Sequence, residues 1–456
     1  MDPIKIDDVL KAVGGVAKNI SCKEINSVVT DDRAVKKGCA FVALKGERFD
    51  GHDFIQSAIE KGASLVITEK EQLLVPQIVV EDTQRALLDL AYLNRSRFSG
   101  MVVGVTGSDG KTTTKEMVSR VLGSKMKVLK TDGNLNNEVG VSKTLFGLDS
   151  SYGAAVVEMG MCNTGDILVL SQAAKPTLGI ITNVGVSHME NFESRDGILK
   201  TKLEILEYMP KGSTLIVGGD NDKLKDLILP NHKIVKCGIQ NKNCEYYAYN
   251  IKTDGSKTEF DIRYGKNVEH VLIPILGNHN VINALFAFAV GIIAKIEPKE
   301  VARALSEYRG IGMRQKVFEV GGATVIADCY NASPESMKAA ITSLMTISCS
   351  GRRIAVLGDM LELGAISKPA HRELGEIAFG FGVDLIYCYG DEAKEIYEGA
   401  LSCCEQNSEQ KIWHFKTKED LIEKLESEVK SGDVVLFKAS RRMRFEDIIE
   451  AVFNRI

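Results

Sequence analysis

The sequence predicts an α/β chain of three domains. These are a small α/β N-terminal domain, a central P-loop-type domain on a mostly parallel sheet, and a C-terminal doubly wound, Rossmann-like domain. Three observations predict it. At 456 residues the chain exceeds what one core usually organises. Short, near-continuous apolar runs alternate with helical patterns, as in parallel sheets covered on both faces. One such run ends in a glycine-rich turn that opens a helix.

In chain order, residues 1–97 carry strand-like Cys39–Leu44 and Ala63–Thr68 and a helical apolar run, Leu87–Tyr92. The polar stretch Asn94–Gly100 ends in Gly and is expected to be a linker. Residues 98–312 follow, with strands at Met101–Val105, Ala154–Met159, Leu178–Val184 and Thr214–Val217. Residues 250–275 alternate like an antiparallel ribbon, and Leu285–Ile296 is an apolar helix. Residues 313–456 start again, with strands at Thr324–Ala327, Ile354–Leu357, Leu385–Tyr389 and Val434–Phe437 and helical patterns between them.

Composition narrows the function classes. Hydrophobic content of 44% and charged content of 26% are those of an ordinary globular chain. A net charge of −4 supplies no basic field, so nucleic acid is not an expected partner. No leader pattern opens the chain and no apolar run reaches bilayer length, so a cytoplasmic protein without a membrane span is expected. The ten cysteines include no C-x-x-C pair, Cys403 and Cys404 are adjacent, and Cys388 sits in an apolar run. They read as reduced, mostly buried thiols rather than disulfides or metal ligands. Without a coiled-coil pattern or a long apolar surface stripe, a monomer is expected.

The most informative stretch is Met101-Val-Val-Gly-Val-Thr-Gly-Ser-Asp-Gly-Lys-Thr-Thr-Thr114, read as strand, loop and helix. Glycines let backbone N–H groups turn toward a phosphate, and the helix N-terminus adds partial positive charge. Lys111 is placed to reach the β- and γ-phosphates of ATP, and the Thr112 hydroxyl to ligate Mg²⁺. A strict G-x-x-x-x-G-K-[ST] pattern wants Gly at position 105, where Val105 stands.

Ligands of open α/β sheets bind beyond the carboxyl ends of the strands. Polar residues there are therefore candidates. Glu158 ends one run and is read as either a Mg²⁺ carboxylate or a strand-end acid in a surface salt bridge. His188 closes Thr182-Asn-Val-Gly-Val-Ser-His188 and is either a metal or phosphate contact or a hydrogen-bonded structural histidine. Asn134-Leu-Asn-Asn-Glu138 is an amide cluster, read as a helix N-cap or a substrate contact. Capping accounts for one residue among Asn278, His279, Asn280 and Asn283, not all four. Asp328-Cys-Tyr-Asn-Ala-Ser-Pro334 and Lys438-Ala-Ser-Arg-Arg442 follow C-terminal strands and suggest a domain that closes over a ligand.

These motifs together make the chain resemble the Mur ligase family of peptidoglycan synthesis over its whole length. Thr106–Thr114 is similar to that family's ATP loop, and Asn278-His-Asn280 with Asn283 looks like its adenine-side motif. Four stretches resemble the branch that joins D-alanyl-D-alanine to UDP-N-acetylmuramoyl-tripeptide. They are Thr30-Asp-Asp-Arg33 with Phe41–His52, Gly133–Glu138, Asp328–Pro334, and Leu357-Gly-Asp-Met-Leu-Glu-Leu-Gly364.

The resemblance implies an ATP-dependent amide ligase working through an acyl phosphate. It implies a nucleotide site at Thr106, Gly107, Ser108, Asp109, Gly110, Lys111, Thr112, Thr113, Asn278, His279, Asn280, Asn283 and Asp328. It implies Mg²⁺ held by Thr112 and Glu158, and a second ion near His188 and Lys202, whose family counterpart is carbamylated. Sequence alone reads Lys202 as a solvated helix residue. Arg314 is implied to meet the transferring phosphoryl group. Thr30, Asp31, Arg33, Lys45, Gly46, Phe49, Asp50, Gly51 and His52 are implied to hold the UDP-sugar end. Asn134, Asn136, Asn137, Tyr330, Asn331 and Ser333 are implied to contact substrate. The tripeptide's third residue stays open between lysine and diaminopimelate.

Two positions depart from the family pattern. Its Thr-Asp-Ser-Arg reads Thr30-Asp-Asp-Arg33, and a second carboxylate beside a diphosphate is unfavourable unless it points away. Its Lys-Gly-Ser-Arg reads Lys438-Ala-Ser-Arg441, and Ala439 restricts the backbone where Gly would be free. Alternatives are a sibling ligase, a folylpolyglutamate synthetase, or a P-loop ATPase or GTPase switch. Phe41-Val-Ala-Leu-Lys-Gly46 argues against the folate enzyme. The missing Asp-Asn-Pro-Arg argues against the third-residue ligase, and the missing Asn-Lys-x-Asp argues against a GTPase.

Overall fold

The computed structural model describes residues 1–404 and 411–454. Three main sheets follow one another along the chain. The first has five strands, with Ser27–Val29, Cys39–Val42, Leu65–Thr68 and Gln77–Val79 parallel and Val16–Lys18 antiparallel at the edge.

The second sheet has nine strands. Seven run parallel, in the order Val128–Lys130, Ala154–Glu158, Met101–Thr106, Leu178–Ile181, Thr214–Gly218, Lys233–Gly238 and Tyr246–Asp254. Lys257–Tyr264 and Asn267–Ile273 then add antiparallel, as the alternating pattern of 250–275 predicts. Alternation explains why the parallel strands are apolar throughout. Val103, Val105, Ala154 and Val156 face the Lys111–Leu122 and Asn278–Ile293 helices. Val102, Ala155 and Val157 face the opposite layer with Val141, Leu145, Ile167 and Leu170.

The third sheet has the order Lys316–Val320, Ala323–Ala327, Val434–Lys438, Arg353–Gly358, Leu385–Tyr389 and Ile412–Phe415. Its first strand is antiparallel to the rest. In both larger sheets the chain leaves a strand in one direction and later returns on its other side, which opens a crevice at the carboxyl ends. In the central sheet this happens at Met101–Thr106, flanked by Leu178–Ile181 and Ala154–Glu158. In the C-terminal sheet Val434–Lys438 inserts between Ala323–Ala327 and Arg353–Gly358.

Two expectations are corrected. Asn94–Gly100 is not a loose linker, because Asn94, Arg95 and Ser96 end the Thr83–Ser96 helix and Asn94 and Arg95 are buried. Asn94 Nδ2 donates to the Leu145 and Leu148 carbonyls at 2.8 and 2.9 Å, and Arg95 Nε and Nη2 donate to those of Ala174 and Lys175 at 2.7 and 2.8 Å. These polar side chains satisfy carbonyls at the ends of two central-domain helices, so the composition of a linker here serves as a clamp. The apolar helix begins at Asn278, not Leu285, because its first turn is built from amides that serve the neighbouring site. Among the described residues no disulfide joins the cysteines, and Cys162 and Cys403 are exposed. Among the described residues no helix is long and apolar enough to cross a membrane.

Candidate active site

The crevice at the end of Met101–Thr106 holds the glycine-rich loop, Gly107–Gly110, ahead of the Lys111–Leu122 helix. Val105 is a buried sheet position, so the turn begins later than a strict motif places it. Gly107, at φ +146, takes over the role: a Cβ there would lie 1.8 Å from Thr182 Oγ1. The loop is held from the adjacent strand end. Asn183 Oδ1 accepts from the Ser108 and Asp109 N–H groups at 3.0 and 2.9 Å, and Thr182 Oγ1 donates to the Asp109 carbonyl at 2.6 Å. Lys111 Nζ donates to the Gly107 and Ser108 carbonyls at 2.8 and 3.0 Å. Burial lowers its pKa, opposed by Glu158 and Asp109. Its ammonium is thus parked over the loop, within reach of whatever the loop binds. The Thr106 hydroxyl is buried without a hydrogen-bond partner among the described residues, and Thr113 lines the cavity.

Glu158 is 1% exposed, which removes the surface salt-bridge reading. Its Oε1 accepts from Thr112 Oγ1 at 3.1 Å and Asn136 Nδ2 at 2.9 Å. Its Oε2 is buried with no hydrogen-bond partner among the described residues, 3.6 Å from Lys115 Nζ. Sequence reasoning missed Lys115, a fully buried ammonium that also donates to the Gly133 carbonyl at 3.0 Å. Nothing in the helical pattern distinguishes it from a solvated lysine.

Lys202 corrects its own sequence reading in the same way. It is 1% exposed, and Nζ meets the Met161 sulfur at 3.7 Å. Burial, with the Lys111 charge nearby, drives its pKa well below the ordinary lysine value. His188 adopts left-handed backbone at φ 62, and its Nδ1 lies 2.8 Å from Glu362 Oε2. Burial and Lys111 lower the His188 pKa while Glu362 opposes them. No group of three or more His, Cys, Asp or Glu side chains converges among the described residues. A cation here would therefore need oxygens from a bound phosphate, which is how Mg²⁺ is usually held in nucleotide sites. The orphaned Glu158 Oε2 beside the Thr112 hydroxyl fits that pattern.

The amide clusters divide between capping and the cavity. Asn137 caps the Glu138–Phe146 helix by accepting from Gly140 N at 2.9 Å, while Asn136 supports Glu158 and Asn134 lines the cavity. At the second cluster the N-cap is Gly277, so no asparagine is spent on capping. Asn283 Oδ1 accepts from Thr114 Oγ1 at 3.1 Å, and Asn280 Nδ2 donates to Gln315 Oε1 at 2.6 Å. Asn278 and His279 line the cavity, and burial lowers the His279 pKa.

C-terminal loops close the other side. Arg314 Nη2 donates to Thr112 Oγ1 at 3.0 Å, and its guanidinium lies 3.8 Å over the Tyr330 ring. Ser333 caps the Pro334–Thr346 helix and donates to Asp109 Oδ1 at 2.9 Å. Lys438 Nζ bridges Asp328 Oδ2 at 2.8 Å and the Asn331 carbonyl at 3.1 Å. Ala439 is buried and its backbone is not left-handed, so the methyl group costs this loop nothing in conformation. The two domains enclose a cavity of ≈ 1010 Å³.

The N-terminal candidates do not line that cavity. Asp31 accepts from Arg33 Nε and Nη2 at 2.9 and 2.7 Å, which holds its pKa at about 2. Asp32 turns to Ser57 Oγ at 2.7 Å and to Lys61, away from that pair. Thr30 is half-buried beside them. The backbones of Lys45 and Asp50 form an isolated antiparallel β-bridge, and Gly46 N donates to the Phe49 carbonyl at 2.9 Å, leaving Phe49 73% exposed at the loop tip. A Cβ on Gly51 would lie 2.6 Å from the Leu44 carbonyl oxygen. His52 is fixed by Asp50 Oδ1 at 2.6 Å and by Glu69 N at 3.1 Å.

Comparison with known proteins covers most of this chain. Three family descriptions match it: "Mur ligase family, catalytic domain" at residues 24–95, "Mur ligase middle domain" at 105–291 and "Mur ligase, glutamate ligase domain" at 313–441. A Bacillus subtilis protein described as UDP-N-acetylmuramoyl-tripeptide–D-alanyl-D-alanine ligase is 38% identical over 453 residues, covering 98% of this chain and 97% of its own. A crystal structure of MurF from Acinetobacter baumannii superposes with TM-score 0.92 at 30% identity, covering 100% of both chains. MurF ligase from Thermotoga maritima, solved in complex with ADP, gives TM-score 0.84 at 31% identity, covering 93% of this chain and 96% of that one.

Proposed function

The chain belongs to the Mur ligase family, and we propose that it joins D-alanyl-D-alanine to UDP-N-acetylmuramoyl-tripeptide at the expense of ATP, building a peptidoglycan precursor. Arg314 carries the reading furthest. It bridges from the C-terminal domain to Thr112 of the nucleotide loop, so two domains present cationic and hydroxyl groups to one point.

ATP lies along Gly107–Gly110, with its base toward Asn278, His279, Asn280 and Asn283. Lys111 leaves its loop carbonyls for the β- and γ-phosphates. The tripeptide's terminal carboxylate attacks the γ-phosphorus and ADP leaves, giving an acyl phosphate. The D-alanyl-D-alanine amine attacks the acyl carbon, and an amide forms as phosphate departs. Phosphoryl transfer of this kind depends mostly on positioning and charge neutralisation. Lys111 and Arg314 supply the cationic groups for it. Thr112 and Glu158 would hold one Mg²⁺, and His188 with a carbamylated Lys202 a second; bound there, the ions neutralise phosphate charge. The depressed pKa of Lys202 supports the carbamate, because only a neutral amine adds carbon dioxide.

Thr30, Asp31, Arg33 and the Lys45–His52 loop bind the UDP-sugar end, apart from the reaction cavity, as a long substrate requires. Asn134, Asn136 and Asn137 contact substrate, Asn137 on its phosphate or metal side, and Asp328, Tyr330, Asn331 and Ser333 contact the nucleotide and dipeptide. Domains at 1–97, 98–312 and 313–456 divide this work. A monomer suffices, since one chain supplies every group named, and ATP with a UDP-linked substrate suits the cytoplasm.

The test is phosphate release from ATP and Mg²⁺ with UDP-N-acetylmuramoyl-tripeptide, with and without D-alanyl-D-alanine. Release dependent on both, with a pentapeptide product by mass, is expected. Release with neither present overturns the ligase, and release with a different amine moves the chain to a sibling activity.

A further inference from the structure

His188 and Glu362 come from different domains, yet they share one contact. His188 follows a central-sheet strand end, and Glu362 lies in the loop after the C-terminal strand Arg353–Gly358. The Nδ1–Oε2 distance is 2.8 Å. Neither residue is glycine, yet both hold left-handed backbone, at φ 62 and 65. Such conformations persist when surrounding contacts over-determine them, and they concentrate at functional sites. The contacts are visible. The Met189–Asn191 turn packs on the Gly364–Ile366 turn, so closely that a Cβ on Gly364 would lie 3.0 Å from Glu190 Cα.

With Nδ1 engaged by Glu362, Nε2 has no partner among the described residues. Lys111, Glu158 and Glu362 line the same cavity. A metal-binding histidine ordinarily donates its other ring N–H to a carboxylate, which fixes its tautomer and ring orientation. Here the histidine follows a central-sheet strand, while the carboxylate is carried by the C-terminal domain.

We propose that Glu362 is the positioning residue for His188, and that the second metal site is complete only when the C-terminal domain is docked on the central one. The inference rests on the metal role assigned to His188 above and adds its dependence on closure. Glu362 side-chain exposure of 41% means that the pair itself contributes little to folding stability. Removing it therefore leaves a folded protein in which the metal site alone is disturbed.

Mn²⁺ serves as probe, counted by the electron paramagnetic resonance of the free ion. The full-length protein is titrated with a non-hydrolysable ATP analogue and UDP-N-acetylmuramoyl-tripeptide bound. Two sites are expected in the unmodified protein and one in His188→Ala. Glu362→Ala is expected to weaken the second site by about 10- to 100-fold while the first is unchanged. Glu362→Gln, which keeps an oxygen to accept the Nδ1 proton, is expected to recover most of that loss. In steady state, Glu362→Ala raises the Mg²⁺ concentration needed for half-maximal rate and leaves the ATP KM in place. Two unchanged Mn²⁺ sites in Glu362→Ala overturn the positioning role while the metal reading stands. Equal stoichiometry in the unmodified protein and His188→Ala overturns the metal reading and the inference together.

Discussion

Lys202 Nζ is buried 3.7 Å from Met161 Sδ, and among the described residues it has no carboxylate within ion-pair distance. A buried ammonium with a thioether as its partner is unfavourable, so the neutral amine is favoured. The unfolded chain keeps an ordinary lysine pKa. Between the lowered folded value and that unfolded value, the unfolded state binds more protons, so stability rises with pH there. Thermal unfolding in CO₂-free buffer, followed from pH 7 to 10, should show a rise of up to about 1.4 kcal/mol per pH unit. Lys202→Met should lack that rise and be the more stable protein at pH 7. A slope shared by both proteins would show that the ammonium is solvated.

The same lysine should carry carbamate during turnover. Lys202→Ala is expected to lose activity that high bicarbonate does not restore. Wild-type-like turnover in that variant, or no carbamate resonance on ¹³CO₂ addition to the unmodified protein, counts against the role.

Lys111 holds two carbonyls of its own loop. Lys111→Ala should lower the ligation rate by at least about 10²-fold, in line with loss of one preorganised charge contact. Binding of the UDP-linked substrate, measured by calorimetry, should stay nearly intact, because Thr30, Asp31, Arg33 and the Lys45–His52 loop proposed to hold it do not line the cavity. Normal turnover would sink the nucleotide-loop assignment.

Arg314 joins a hydrogen bond to Thr112 with stacking on Tyr330. One planar guanidinium makes both contacts at once, which a single ammonium does not match, so Arg314→Lys should fall nearly as far in kcat as Arg314→Ala. Full rescue by lysine would reduce the role to a point charge.

The Asn94 clamp is structural. Asn94→Ala removes the buried side-chain donor to the Leu145 and Leu148 carbonyls. It should destabilise the protein by about 1–3 kcal/mol in denaturant unfolding without altering ATP KM. An unchanged midpoint would mean that water replaces the amide.

The sequence by itself determined the repeating strand–helix order, the glycine-rich loop and the residues at the strand ends. Those signals are local: side-chain alternation, glycine and capping preferences act within a few residues. Even Val105 misled only the motif pattern, since strand Met101–Thr106 simply ends later. Tertiary structure alone decided what the charged residues do. In sequence Lys115 and Lys202 look like solvated lysines, and Glu158 is open between a Mg²⁺ carboxylate and a surface salt bridge; their burial depends on which strands and helices surround them. Asn94 and Arg95 have the composition of a linker until helix ends 51 to 80 residues away present carbonyls to them. Arg314 meets Thr112 across 202 residues, and His188 meets Glu362 across two domains. Such pairings follow from sheet order and domain docking, and a window of neighbouring residues holds no trace of either.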